Sequence, residues 1–386
     1  MTKRHAEIAG GGIGGLALGM MLGRHGWSVR IHERSPEIRE IGAGISLRNN
    51  CIAVLEHYDV FPRLEPLGSK LRMELSVDRH GQVMQRRQLS GHFRTHVFPR
   101  QSVVDILAQS AREAGAEIVT ASHITGAEPS GALIDANGRR YGGDLVVGAD
   151  GIRSKVRMAL RLSARLSERG TQVNRYLIPT RSFTSDDTMF EHWSEGRRVG
   201  IMPSGPGQTF VYLVMPRRDR AACALPLDTR SWQRSHPTLA DAFEIIARSD
   251  GTQYPYNVVE CPRWSAGRVA LIGDAAHGMP PTLGQGAGLT MMNSHALAEI
   301  VSGPRPVEEA LADWEQMVRF ISDRTRRWAI RYDQFTRHWP LALRPLVMWA
   351  FDRFPILNER MRIADQGLAL TPVRLDKRGR LDTRAA

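Results

Sequence analysis

The hydrophobic and polar positions near the start of the chain follow a strand, helix, strand order. Residues 5–9 alternate before a cluster of glycines and predict a short buried strand. Residues 16–25 are helix-like in pattern, and Gly26 is suited to ending that helix. Residues 28–32 predict a second strand, which Glu33 closes. This order is typical of the first unit of a nucleotide-binding fold.

The turn after the first predicted strand contains Gly10, Gly12 and Gly15 in the spacing G-x-G-x-x-G. Gly10 permits a tight turn, Gly12 lets a pyrophosphate approach the backbone, and Gly15 lets the helix pack against the strand. The free N–H groups and positive dipole end of the helix favour phosphates. Glu33 can accept hydrogen bonds from a ribose diol. The pattern therefore predicts a dinucleotide, without choosing between NAD and FAD.

Two later stretches repeat the order of buried strand, turn and helix. One spans residues 144–157 and carries Asp150 in its turn; the other spans 267–301 and carries Asp274 after its strand. An acid at a strand end can hold a ribityl or ribose hydroxyl, and the loop 280–288 offers unhindered N–H groups at a helix start. Three such elements on one chain indicate an extended ligand.

The remaining patterns predict a separate sheet and a long helix. Residues 165–260 contain alternating stretches typical of strands joined by turns. Residues 306–334 carry Trp314, Val318 and Ile321 at helical spacing. Residues 339–354 mix tryptophan, leucine, proline and arginine. They fit a helix packed on the nucleotide-binding part, with a subunit contact or a membrane interface as alternatives.

Composition and charge limit the function classes. The 386 residues carry a net charge of +12, but the arginines are spread along the chain without a nucleic-acid-binding motif. We expect a basic surface that attracts anionic ligands, and no nucleic acid. The three cysteines lie far apart, so neither a disulfide framework nor a zinc site is expected. No metal, no leader peptide and no membrane span are expected, which favours a cytoplasmic protein.

The three motifs together resemble the single-component flavoprotein aromatic hydroxylases, the p-hydroxybenzoate hydroxylase-like family. The first glycine motif, G-A-D-G-x-x-S-x-x-R around Asp150, and G-D-A-A-H with its G-Q-G around Asp274 carry the resemblance over about residues 5–330. "AEIAGGG", "GWSVRIHE" and "GAGISLRNN" resemble the branch of 2-methyl-3-hydroxypyridine-5-carboxylate oxygenase. The resemblance implies a mixed α/β fold, with a Rossmann-like FAD-binding domain interwoven with a β-sheet substrate domain and a C-terminal helical region.

By resemblance, FAD is bound non-covalently by residues from all three motifs. The glycine turn and Glu33 hold its ADP half, Arg100 meets the flavin side chain, and the loop 281–288 lies beside the isoalloxazine. Arg48 is a candidate contact of FAD or nicotinamide, or else a surface arginine. The implied cofactor-binding residues are Gly10, Gly12, Gly14, Gly15, Glu33, Arg34, Ala43, Gly44, Arg48, Arg100, Asp150, Gly151, Gly273, Asp274, Gly284, Gln285, Gly286, Ala287 and Gly288.

The resemblance also implies the reaction. NADH or NADPH reduces FAD, O2 adds at the flavin C4a, and the resulting hydroperoxide hydroxylates a small aromatic or N-heteroaromatic acid, with ring opening as an option. Arg175, Tyr212 and Pro281 are the implied catalytic or substrate-side residues. The alternative is a peripheral-membrane hydroxylase of a quinone or alkylquinolone. A flavin-dependent halogenase is disfavoured because its W-x-W-x-I-P signature is absent, and a flavin-binding module would consume no NAD(P)H.

Several positions depart from the family pattern. Ser46 stands where the hydroxypyridine branch has a tyrosine, and Gly200 stands where that branch has a second arginine. Gly288 and Asn293 replace an asparagine and an aspartate of many relatives. These changes leave the substrate open. The predicted division is an FAD-binding part (1–70, 96–165, 262–335), a substrate-binding sheet (71–95, 166–261), C-terminal helices (336–370) and a mobile tail (371–386), in a monomer or homo-oligomer.

Overall fold

A computed structural model of the chain describes residues 3–40, 42–89 and 93–338, with isolated positions beyond 338. Nineteen strands lie within these ranges. They are β1 (His5–Ala9), β2 (Ser28–His32), β3 (Gly44–Arg48), β4 (Ser69–Leu71), β5 (Met73–Val77), β6 (Val83–Gln88), β7 (Thr95–Pro99), β8 (Ala116–Val119), β9 (Ile124–Glu128), β10 (Ala132–Asp135), β11 (Arg140–Gly142), β12 (Leu145–Gly148), β13 (Arg165–Ile178), β14 (Thr188–Ser194), β15 (Arg197–Pro203), β16 (Thr209–Pro216), β17 (Gly251–Glu260), β18 (Ser265–Ala266) and β19 (Val269–Leu271).

The α-helices of the same ranges surround and connect these strands. They are α1 (Ile13–Arg24), α2 (Asn49–His57), α3 (Phe61–Leu64), α4 (Arg100–Glu113), α5 (Lys155–Ala159), α6 (Thr229–Ser235), α7 (Ala240–Ile246), α8 (Asp274–His277), α9 (Gly286–Val301) and α10 (Val307–His338). Single 3₁₀ turns occur at Glu65–Leu67, Pro237–Leu239 and Pro281–Leu283. No helix in the described part of the chain is both long and apolar enough to cross a bilayer.

The first sheet is the one that positions the nucleotide motifs. Its strand order is β18-β19-β12-β1-β2-β8, with all neighbouring pairs parallel except β18 and β19. β12 and β19 are buried along their whole length, as expected for parallel strands that are covered on both faces. The strands β19, β12 and β1 are consecutive and parallel in this sheet. The three motifs that follow them therefore meet at one edge of the sheet.

Helix α1 packs unusually close to this sheet because it contains glycines where side chains would collide. A Cβ on Gly15 would lie 1.9 Å from the carbonyl oxygen of Gly10, and one on Gly19 would lie 2.5 Å from the Ile31 side chain. The role predicted for Gly15, close packing of helix on strand, therefore agrees with the geometry. The helix begins at Ile13, three residues before the predicted start.

The seven-stranded sheet has two different faces. Its order is β17-β13-β16-β15-β14-β5-β6. Side chains of one face, among them Tyr176, Val199 and Leu213, form a core with Trp232 of α6 and Phe243 of α7. The alternate residues point to the opposite face, since successive side chains of a strand alternate. That opposite face looks onto the edge of the first sheet where the motifs meet.

The predicted mixed α/β fold with a long C-terminal helix is confirmed. The helix predicted over 306–334 is α10, which begins at Val307 and continues to His338. The predicted division of the chain into parts stays a prediction. Apart from residues 336–338 and the isolated positions, the predicted C-terminal helices and tail lie outside the described residues.

Candidate active site

The three motifs enclose one cavity of about 1470 Å³ between the first sheet and the seven-stranded sheet. The first sheet contributes the turns after β1, β12 and β19. The seven-stranded sheet contributes the face that lies opposite its core with α6 and α7. A cavity of this size exceeds the usual range of small-molecule pockets and matches a large, extended ligand.

The glycine turn lies at the wall of this cavity. Gly10 has φ +109°, and a Cβ there would lie 2.4 Å from the carbonyl oxygen of Ala149, so only glycine fits. At Gly12 the position of a Cβ is open except for one Glu40 oxygen at 3.8 Å. Gly12 caps α1 without a side-chain hydrogen bond. The helix therefore presents bare backbone N–H groups to the cavity, as an anion site requires.

Glu33 is held rigidly at the end of β2. Its two carboxylate oxygens accept hydrogen bonds from the backbone N–H groups of Gly11 at 2.9 Å and Ser35 at 2.8 Å. Each oxygen keeps a further lone pair, and the residue lines the cavity. Glu33 is thus placed to accept hydrogen bonds from a diol in the cavity.

One carboxylate oxygen of Asp150 is hydrogen-bonded within the described structure, and the other is not. Its Oδ2 accepts from the backbone N–H groups of Lys155 and Val156, which caps α5. Its Oδ1 is buried and has no hydrogen-bond partner among the described residues. A buried carboxylate oxygen without a partner is costly, so this atom is suited to a hydroxyl or N–H group of a ligand.

Asp274 lines the cavity with its surface accessible from it, and two arginines lie in its electrostatic surroundings. Withdrawal from bulk solvent raises the pKa of Asp274 above its ordinary value, although Arg100 and Arg175 act in the opposite direction. Arg100 pairs with Glu40, whose Oε2 lies 2.8 Å from the arginine Nε. The Glu40–Arg100 pair therefore stands beside the glycine turn.

The loop before α9 forms another wall. Pro281, Gly284, Gly286 and Ala287 line the cavity, and α9 begins there without a side-chain cap. Gly284 has φ +63°, a conformation that favours glycine. The starts of α1 and α9 therefore face the same cavity.

Arg48 lies beside the loop before α9. A Cβ on Gly284 would be 3.2 Å from the Arg48 Nε. Arg48 lines the cavity and pairs with Glu74, at 3.2 Å. It is therefore a cavity residue and not a surface arginine.

The seven-stranded sheet places a row of four cross-strand neighbours on its cavity face. Glu191 pairs with Gly200, Gly200 with Tyr212, and Tyr212 with Arg175. A Cβ on Gly200 would lie 2.1 Å from the Tyr212 ring, so the ring lies directly over this glycine. The Tyr212 hydroxyl thereby donates to the Glu191 Oε1 at 2.7 Å. The absence of a side chain at Gly200 is what makes room for the tyrosine ring.

Glu191 and Tyr212 belong to a buried charged group. Arg198, which is only 4% exposed, lies 3.2 Å from the same Glu191 Oε1 and covers the ring of Trp193. Burial and the Glu191 carboxylate raise the pKa of Tyr212 well above its ordinary value. Tyr212 therefore stays protonated, donates to Glu191, and keeps a lone pair on its oxygen for another donor.

Arg175 differs from Arg198 because it has no acidic partner among the described residues. Its guanidinium lies 5.8 Å from the centre of the Tyr254 ring and lines the cavity. Burial, with a contribution from Arg100, lowers the pKa of Arg175 from its ordinary value. An arginine stays charged even so, and a charge in this setting attracts an anionic or strongly polarised oxygen.

Comparison with known families decides what kind of protein contains this cavity. A family model described as "FAD binding domain" matches residues 4–303, which is most of the chain. The chain belongs to this family of flavoprotein monooxygenases. It is therefore an FAD-dependent monooxygenase, and the resemblance noted from the three motifs is confirmed.

Individual relatives are similar over most of their length. A probable 2-heptyl-3-hydroxy-4(1H)-quinolone synthase of Rhodococcus erythropolis is 34% identical over 339 residues, which cover 85% of this chain and 87% of that protein. A 2-heptyl-3-hydroxy-4(1H)-quinolone synthase of Mycobacteroides abscessus is 32% identical, covering 83% and 87%. The tetrameric form of 2-methyl-3-hydroxypyridine-5-carboxylic acid oxygenase has a TM-score of 0.82 at 29% identity, covering 89% and 96%.

Most residues predicted from the sequence of this flavoprotein line the one cavity. They are Gly10, Gly12, Gly14, Glu33, Arg34, Gly44, Arg48, Arg100, Asp150, Gly151, Arg175, Tyr212, Gly273, Asp274, Pro281, Gly284, Gly286 and Ala287. The open backbone at Gly12, the unpartnered oxygen of Asp150 and the two uncapped helix starts all fit an FAD. The assignment of individual residues to parts of FAD stays a prediction.

Four predicted residues do not line the cavity. Gly15 packs against Gly10, and Ala43 is buried with its carbonyl accepting from the Arg100 N–H. Gln285 accepts a hydrogen bond from the Asn50 side chain, and a Cβ on Gly288 would lie 2.5 Å from that same amide. Gln285 and Gly288 therefore support the loop before α9 from behind.

Sequence reasoning missed the acidic and basic partners of the predicted residues. Glu40, Glu74, Glu191 and Arg198 line the cavity and were not among the expected residues. Glu191 was detectable in principle, because strand alternation puts it on the same face as Met189 and Trp193. The others depend on pairing between distant segments.

Asn293, one of the positions that depart from the family pattern, lies behind the cavity wall together with His277. Asn293 donates to the Ser322 hydroxyl at 3.1 Å and lies 3.2 Å from the His277 Nε2. Burial lowers the pKa of His277 to about 4, so its ring is neutral at physiological pH. His277 and Asn293 therefore form part of the support behind the segment that carries Asp274.

Proposed function

We propose that this flavoprotein uses NADH or NADPH and O2 to hydroxylate an electron-rich N-heteroaromatic ring that bears an oxo or hydroxyl group. The observation that carries the proposal is the pair Arg175 and Tyr212. They are cross-strand neighbours on the cavity face, so their Cβ atoms are about 5 Å apart. One offers a charged donor and the other keeps a free acceptor lone pair.

A ring of the proposed class complements this pair. The oxo or hydroxyl oxygen attached to the ring accepts a hydrogen bond from the Arg175 guanidinium. The ring N–H or a hydroxyl group donates to the Tyr212 oxygen. Apolar side chains of Met189, Met202 and Phe210 line the same part of the cavity and suit a flat aromatic ring. Both the quinolone and the hydroxypyridine in the names of the relatives have a nitrogen in the ring and an oxo or hydroxyl oxygen attached to it.

The chain's own residues position FAD and exclude water. The bare N–H groups at the α1 start would hold the pyrophosphate, Glu33 and Asp150 would accept from hydroxyl groups of FAD, and the α9 start would help to hold the flavin. When bound and reduced, FAD supplies the activated oxygen that enters the substrate ring. Tyr212 and Arg175 hold the substrate ring in one orientation. This lowers the entropic contribution to the activation free energy of oxygen transfer.

Two substrate classes compete within this proposal. A 2-alkyl-4(1H)-quinolone is favoured by the names of the relatives at 34% and 32% identity. A small N-heteroaromatic acid is favoured by Arg175, a cation without an acidic partner among the described residues, which would pair with a carboxylate. The alkyl chain of a quinolone needs apolar space, whereas the acid needs the full charge of Arg175.

The test measures NADH and NADPH consumption by the purified enzyme with 2-alkyl-4(1H)-quinolones, hydroxypyridine carboxylates and hydroxybenzoates, with products identified by mass. We expect stimulation and one added oxygen with one of the two N-heteroaromatic classes. Stimulation only by hydroxybenzoates would overturn the proposal. Flotation with liposomes then decides whether the enzyme also binds a membrane, as the predicted alternative requires.

Arg175→Gln sharpens this test. If the substrate is an acid, we expect kcat/KM to fall by roughly 1000-fold, about 4 kcal/mol of lost transition-state binding. For an uncharged quinolone the loss should be nearer 10-fold. Arg86→Gln is the matched control, because Arg86 is exposed and belongs to the same sheet. Full activity of Arg175→Gln with every substrate would remove Arg175 from the site.

A further inference from the structure

Three helices that begin beside the cavity end together in a cluster of histidines. Gly12 precedes α1, Arg48 precedes α2, and both residues line the cavity, as does the start of α9. His25 caps the C-terminal end of α1, His57 is the last residue of α2, and Glu299 lies in the last turn of α9. With 12 residues, α1 is roughly 18 Å long, so the cluster is remote from the start of that helix.

The cluster brings metal-ligand atoms close together. His57, His295 and Glu299 each offer one ligand atom, and these atoms all lie within 4.8 Å of one another. The His25 Nε2 lies 3.2 Å from the Glu299 Oε1. The Tyr58 hydroxyl lies 2.9 Å from the His295 Nδ1 and fixes the orientation of that ring.

We propose that His57, His295 and Glu299 bind a divalent transition-metal ion of the zinc class, with His25 as a fourth ligand. Imidazole nitrogens and a carboxylate are the usual ligands of Zn²⁺ in proteins, and four of them complete a tetrahedral site. The negative ends of three helix dipoles meet here, which favours a cation over an anion. This site is separate from the proposed reaction and does not depend on its substrate.

The geometry requires only a small movement to close the site. Tetrahedral Zn²⁺ with bonds of about 2.0 Å places neighbouring ligand atoms roughly 3.3 Å apart. Closing the present separations of up to 4.8 Å to that value requires rotation of the exposed His57 side chain and of the Glu299 carboxylate, while the buried His295 stays in place. Because the Tyr58 hydroxyl occupies the His295 Nδ1, the ion binds His295 through Nε2, and the hydrogen bond with Tyr58 acts as the outer contact that orients the imidazole.

A bound ion would connect the C-terminal ends of the helices whose starts form the cofactor cavity. Three elements that now touch through side chains would become cross-linked, so unfolding would release the ion. By linkage, an ion that binds only the folded chain raises the melting temperature as its concentration rises. The site is therefore expected to be structural.

The experiment uses the FAD-loaded enzyme without a histidine tag, treated with a chelator and then titrated with ZnCl2 by calorimetry. We expect one ion per chain, a higher melting temperature with Zn²⁺, and loss of both effects in His57→Ala and Glu299→Gln. Tyr58→Phe should weaken binding about 10- to 100-fold, as for other outer contacts of metal ligands. His80→Ala is the control, because His80 is exposed and outside the cluster.

His57→Ala keeps the test independent of folding, since His57 is exposed at a helix end. Its melting temperature without metal should equal that of the parent. Absence of saturable Zn²⁺ binding by the parent would overturn the proposal, as would unchanged affinity in both ligand variants. Co²⁺ serves as a second probe: a tetrahedral spectrum without a thiolate band supports the site, and a thiolate band would assign the metal to cysteine instead.

Discussion

The charged group on the cavity face makes a quantitative prediction about stability. Glu191→Gln keeps the shape of the side chain and a carbonyl oxygen for the Tyr212 hydroxyl, but it removes the only charge shown to pair with Arg198 in the described structure. Removing one partner of a buried ion pair costs about 3–5 kcal/mol. Because the hydrogen bond from Tyr212 survives, we expect about 3 kcal/mol.

This loss corresponds to a fall in melting temperature of roughly 6 °C, taking about 2 °C per kcal/mol for a large chain. The assay is thermal and urea unfolding of the FAD-loaded enzyme for Glu191→Gln, Arg198→Met and the double variant. The double variant should recover most of the loss, because no unpaired charge is left buried. Glu113→Gln, which breaks the exposed Arg63–Glu113 pair, should cause no measurable shift.

The reasoning would be refuted by additive single losses, since additivity means that Glu191 and Arg198 do not interact. It would also be refuted if Glu191→Gln unfolded like the parent. A loss confined to substrate affinity would mean that the pair serves the ligand and not the fold.

Three further predictions concern the cofactor turn and the first strand. Gly12→Val should fold but lose its flavin absorbance, because the new side chain meets only one flexible side-chain atom and points into the cavity; a fully flavinylated variant would contradict the assignment. Gly10→Ala should instead lower the melting temperature of the chain itself, because of φ +109° and the collision with Ala149. Glu7 is buried against His32, and although burial alone would raise its pKa, hydrogen bonds from His32 and His5 hold that pKa below the ordinary 4.5. The contribution of Glu7 to the free energy of unfolding is therefore complete above pH 4.5 and is lost as the pH falls through the lowered pKa. Glu7→Gln should be destabilised by about 1–3 kcal/mol at neutral pH. Its free energy of unfolding should also depend less on pH in the acid range than that of the parent.

The parts of the site that depend on local backbone geometry could be predicted from the sequence. The turn that requires Gly10 and Gly12 lies between a strand and a helix that are its direct neighbours in the sequence. The glycine motif and its structural surroundings can therefore be predicted from one short stretch. Asp150 and Asp274 follow buried strands, and parallel neighbours bring such strand ends to one edge.

The parts that depend on register between distant strands could not be predicted. Tyr212 lies over Gly200 and reaches Glu191 only because β14, β15 and β16 pair in one particular register. A shift of one residue would place Glu191 on the opposite face, against the core formed with α6 and α7. Gln285 was assigned to the cofactor from its motif, whereas its partner Asn50 lies 235 positions earlier in the chain.

The two-faced sheet has a consequence for how this enzyme could acquire new substrates. In β13, β15 and β16, residues such as Tyr176, Val199 and Leu213 belong to the core with α6 and α7, and alternating residues such as Val173, Met202 and Tyr212 line the cavity. A mutational library restricted to positions 175, 189, 200, 202, 210 and 212 would therefore sample selectivity while leaving that core untouched. Exchanges at the alternate positions would test the thermal tolerance of the scaffold. The strands thus separate the positions that shape the binding surface from the positions that pack against α6 and α7.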